Sequence, residues 1–128
     1  MVIALLLAGL PQRSVKIENV SSIRAYLPFV AETGGAMLPE AFVAPMLNFK
    51  GRLSKQVERE FLGLLLLGGS GPKFDKYRTR LRIVFRGGEL LMDVDGLVRL
   101  TQGKKIEEYA LPAFAYNRAG VILRVTSP

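Results

Sequence analysis

The chain has 128 residues, 49% of them hydrophobic, with a formal charge of +7 and a pI near 10.1. That is enough for one domain, residues 1–128, with its own core, and basic enough to favour an acidic partner. Cysteine and histidine are both absent, which removes disulfides, thiol chemistry, the commonest general base and the commonest transition-metal ligand. The expectation is a non-catalytic binding domain with no metal and no cofactor.

Residues 2–10 are an unbroken apolar run, too short to span a bilayer, which takes ~20 residues. The run resembles the hydrophobic region of a secretory signal, but no lysine or arginine precedes it and no small-x-small site follows. Leu7-Ala8-Gly9 resembles the start of a bacterial lipoprotein box in which Leu10 replaces the required cysteine. The run is expected to be a buried core element, in keeping with a cytoplasmic chain. A signal remnant would instead place the protein in the cell envelope or periplasm, and only then would membrane association be expected.

Residues 14–18 alternate and predict a short strand. Asn19 to Ser22 offer helix N-caps, and Ile23, Tyr26, Leu27 and Val30 follow at helical spacing, interrupted by Pro28. Residues 28–48 carry three prolines and few charges, so they predict either an irregular apolar cover or an exposed binding surface. Phe42, Met46 and Phe49, with Lys50 and Arg52 beside them, combine aromatic, methionine and basic side chains as interface hot spots do. They are the first candidate for a partner-binding site.

Residues 54–67 predict the best helix. Ser54 is its cap, Val57, Phe61, Leu64 and Leu65 form its buried face, and Gly68-Gly69 its end. The glycine-rich loop 68–73 follows a helix and precedes a strand. That is the reverse of the order a phosphate cradle needs.

Residues 79–101 carry the clearest pattern. Leu81, Ile83 and Phe85 alternate with Arg80, Arg82, Val84 and Arg86, and Leu90, Met92 and Val94 alternate with Glu89, Leu91 and Asp93. A two-residue turn at Gly87-Gly88 predicts Phe85 opposite Leu90 and Ile83 opposite Met92, with the ion pairs Arg86–Glu89, Arg82–Asp93 and Arg80–Asp95. A three-residue loop 94–96, with Gly96 left-handed, then sets Met92 near Val98 and Leu90 near Leu100. Asp93 and Asp95 read as partners of arginine rather than as a proton-transfer pair. The calcium-loop pattern fails because its twelfth position is Lys104.

Residues 106–111 predict a fourth strand, stopped by Pro112, and residues 114–125 a closing hairpin. The fold class is α+β: an antiparallel meander of about five strands against one main helix, behind an irregular helical N-terminal half. Arg78, Arg80, Arg82, Arg86 and Arg99 form a second candidate surface, a basic stripe on the outward sheet face, with internal pairing to carboxylates as the competing reading. Two function classes follow. The first is recognition of a more acidic protein, of inhibitor, immunity or assembly type. The alternative is nucleic-acid binding through the stripe, for which the absence of aromatics on that face between residues 79 and 101 leaves phosphate contact rather than base stacking.

Overall fold

The computed structural model describes residues 17–27, 29, 49–69 and 71–126. The elements are β1 (Ser22–Ala25), β2 (Phe49–Gly51), α1 (Lys55–Leu65), β3 (Thr79–Phe85), β4 (Gly88–Asp93), β5 (Leu97–Gln102), β6 (Lys105–Ala110) and α2 (Ala113–Thr126). The strands make one six-stranded sheet in the order β2-β1-β3-β4-β5-β6, antiparallel at every pairing. This is the α+β class expected, with β3 to β6 as the meander and α1 as the expected helix. The strip that β1 and β2 add at the β3 end was not expected.

Alternation builds the sheet. Leu81, Ile83, Phe85, Leu90, Met92, Val98 and Leu100 all point to one side and are buried in a single cluster with Phe61, Leu62 and Leu65 of α1 and Ala119, Ile122 and Leu123 of α2. Both helices therefore cover the same sheet face, and burial of that face is the main favourable term in folding. The Ser54 hydroxyl accepts from the Val57 amide and caps α1. At the other end Leu65, Leu66 and Leu67 are buried, as an apolar last turn demands. The buried Tyr109 hydroxyl of β6 donates to the Leu65 carbonyl at 2.5 Å, satisfying an acceptor that the helix end leaves open.

The β3–β4 register is shifted by two residues from the expected one. Ile83 pairs with Leu90, Leu81 with Met92 and Phe85 with Gly88. The turn is thus Arg86-Gly87, with Gly87 at φ 87°. Gly88 lies inside the ladder, at a position where a Cβ would collide with the Thr101 carbonyl of β5. A two-residue shift keeps every side chain on its face, so the core survives while the charge pairs change. The β4–β5 turn is as expected: Met92 faces Val98, Leu90 faces Leu100, and Gly96 has φ 81°.

Three further expectations are corrected. Residues 22–25 are a strand, not part of a helix, since Ile23, Ala25, Leu27 and Phe29 are buried at alternate positions. Residues 17 and 18 are not strand, and the rest of the predicted strand 14–18 lies outside the described residues. The closing hairpin is instead α2, which buries Ala115, Ala119, Ile122 and Leu123 at helical spacing. Asn117 to Gly120, the middle of that stretch, are mid-helix, and Gly120 lets the Phe29 ring come close. The apolar run 2–10 also falls outside the described residues.

A candidate partner-binding face

The register places basic residues of four strands in one transverse row across five neighbouring strands. On the sheet face away from the helices, Arg24 of β1 lies opposite Arg82 of β3, Arg82 opposite Leu91 of β4, Leu91 opposite Arg99 of β5, and Arg99 opposite Glu108 of β6. Lys50 of β2 occupies the next register position beyond Arg24. Adjacent strands are ~4.8 Å apart, so the positions from Lys50 to Arg99 span roughly 19 Å.

Carboxylates hold three of the arginines on and beside this face. Arg82 Nε donates to Glu89 Oε2 at 3.1 Å, Arg99 Nε to Glu108 Oε2 at 2.8 Å, and Arg78 Nη1 to Asp95 Oδ2 at 3.0 Å. Each of these contacts engages one edge of a guanidinium that carries five donors. An apolar cluster of Phe74, Leu91 and Leu97 adjoins the row, and the Arg99 guanidinium lies over the Phe74 ring at 5.1 Å. Cationic heads are thereby held in place on a partly apolar floor.

Arg80 does not belong to the open stripe. A bulge between Thr79 and Leu81 makes it the extra residue of β3. It is 3% exposed, donates to the Thr79 carbonyl and lies near the Tyr26 ring. Arg86 is exposed in the β3–β4 turn, away from the row. None of the three expected pairs forms. Arg82 takes Glu89, Asp95 takes Arg78, and Asp93 is buried and accepts from the amides of Asp75, Asp95 and Leu97. Burial raises the Asp93 carboxyl above the usual range, against those three amides, which pull it down.

Of the first candidate set, Phe42 and Met46 lie outside the described residues. Phe49 and Lys50 are placed by backbone in β2, paired with Ala25 and Arg24. Arg52 is exposed, with Glu58 at 3.9 Å. The register therefore joins one member of that set, Lys50, to two members of the other, Arg82 and Arg99. The residue sequence reasoning missed is Arg24, the link between them. Its signal was available in the alternation of Ile23, Ala25 and Leu27 around it.

Among the described residues no helix is long and apolar enough to cross a membrane. No protein family model matches the chain, and neither a curated protein nor a solved structure is similar to it.

Proposed function

We propose that the chain is a non-catalytic binding domain that recognises an acidic protein through the outward face of its sheet. The observation that carries this reading is the juxtaposition of Arg24 and Arg82, with Lys50 and Arg99 extending the row. Like charges directly opposite one another on paired strands are destabilising; Glu89 pairs with Arg82, and carboxylates of a partner laid across the row would add to that neutralisation. The interleaved Glu89 and Glu108 and the apolar floor of Phe74, Leu91 and Leu97 favour a protein over a polyphosphate. They orient arginines for forked contact with carboxylates and supply apolar area beside them. Among the described residues Tyr77, 54% exposed, is the one large exposed aromatic near this face, whereas nucleic-acid sheets stack several bases on aromatic side chains.

The test compares the native chain with an Arg24→Glu, Arg99→Glu variant as bait in nuclease-treated lysate of the source cell. An acidic protein retained by the native chain, lost with the variant and then bound directly in purified form supports the reading. Retardation of a single-stranded oligonucleotide, with affinity falling about one log unit per log unit of salt for each phosphate contacted, supports the nucleic-acid alternative instead.

A further inference from the structure

We infer that β6 is a self-pairing edge, and that two copies of this chain associate through it about a two-fold axis at Ile106. Among the described residues, β6 pairs with β5 along its whole length, and its other side is met only at Ala110, which exchanges two backbone hydrogen bonds with Gly69. Backbone direction alternates along a strand. If Ala110 faces outward, so do the amides and carbonyls of Glu108 and Ile106, and these form a short open ladder ending at the Gly69 bridge. An open edge of this kind is a template for another strand.

The side chains specify which strand. A two-fold axis at Ile106 sets Ile106 against its own copy in a pair that exchanges both backbone hydrogen bonds. It then sets Lys105 against Glu107 of the second copy and Glu107 against Lys105 of the second copy. One step further, Glu108 meets Lys104 of the second copy. Every charged position meets its opposite, and the apolar position meets itself. Moving the axis to Glu107 would set glutamate against glutamate. The same charges that discourage a chance partner thus suit a second copy.

Exposure agrees with this placement. Ile106 is 61% exposed, and it sits on the sheet where β-branched residues normally pack against a neighbour. Lys105 and Glu107 lie on the helix side of the sheet, 3.5 Å apart within one chain, so both can turn toward a second copy. The copy's β6 begins after its Gly103-Lys104 turn and therefore stops short of the Gly69 bridge. The contact is short, so the dimer is expected to be reversible and concentration-dependent.

The experiment is sedimentation velocity on the full chain over a concentration series. The native chain should dimerise. Lys105→Glu alone and Glu107→Lys alone should each weaken association about tenfold or more, because each places like charges opposite one another twice per dimer. Mixing the two variants should restore association as a heterodimer, since both cross pairs are then attractive. Far-ultraviolet circular dichroism of each variant guards against misfolding, and Ile106→Lys provides an independent disruption. A native chain that stays monomeric, or a dimer that neither single variant weakens, overturns the inference. So does a mixture that does not recover. In particular, a monomer whose Ile106 amide is protected from exchange would mean that another segment of the same chain occupies the edge.

Discussion

Arg24 and Arg82 stand directly opposite each other on paired antiparallel strands, with Glu89 3.1 Å from Arg82. The arrangement makes their mutual repulsion measurable. In a double-mutant cycle of Arg24→Gln and Arg82→Gln, the coupling should be unfavourable to folding by ~0.2–1 kcal/mol and should shrink as salt is raised. Chemical denaturation at two ionic strengths reads it. A favourable coupling would remove the ground for an anion at this position.

The shifted register gives a second expectation. Arg82 should couple favourably to Glu89, by ~0.2–1 kcal/mol in a cycle of Arg82→Gln and Glu89→Gln. Arg82→Gln and Asp93→Asn should instead be close to additive, because the Asp93 oxygens are committed to backbone amides. Denaturation midpoints of the five variants decide between the two registers.

The contrast between those two pairs shows what was legible in the sequence. Face was readable throughout; register was readable between β4 and β5 but not between β3 and β4. Leu81, Ile83, Phe85, Leu90 and Met92 declare one side by alternation, and a two-residue shift leaves that side unchanged. Gly87 and Gly88 can each serve a tight turn, so local pairing does not tell which of them enters the ladder. Helix α2 was misread for a related reason. Val121, Leu123 and Val125 alternate as a strand would, while Ala115, Ala119, Ile122 and Leu123 repeat as a helix would. Small residues carry little weight in such patterns until their neighbours are known, and here Phe29 is the neighbour. The candidate face was half legible. Arg82 and Arg99 were found, Arg80 was lost to a bulge, and Arg24 was hidden by helical spacing at Ile23, Tyr26 and Leu27.

Tyr109 joins the sheet to the end of α1. Its hydroxyl is buried and donates to the Leu65 carbonyl. Tyr109→Phe keeps the ring but leaves that carbonyl without this donor, so the expected loss is ~1–3 kcal/mol, the cost of a buried unsatisfied acceptor. The lost stability should be accompanied by faster amide exchange in the last turn of α1, measured by hydrogen–deuterium exchange. Equal stability of the two proteins would show that the bond contributes nothing to holding α1 on the sheet.

Asp93 gives a prediction in pH. The carboxylate organises the turn between β4 and β5 and draws in the Asp75 amide, yet burial raises its pKa. The folded state therefore holds the Asp93 proton to higher pH than the unfolded state, whose pKa is about 3.9. Where the folded state binds more protons, stability falls as pH rises. The contribution of Asp93 is fully present below the unfolded value and is lost as pH rises through the folded one. Asn at this position does not titrate, and its single carbonyl oxygen can serve the Asp95 and Leu97 amides but leaves the Asp75 amide without an equivalent acceptor. Asp93→Asn should thus be less stable than the native chain. Its deficit should be largest at acid pH and should narrow as pH rises through the carboxylate range. Unfolding free energies of both proteins across that range test the sign: a deficit that widens as pH rises would mean that the three amides outweigh burial and that the folded pKa is depressed.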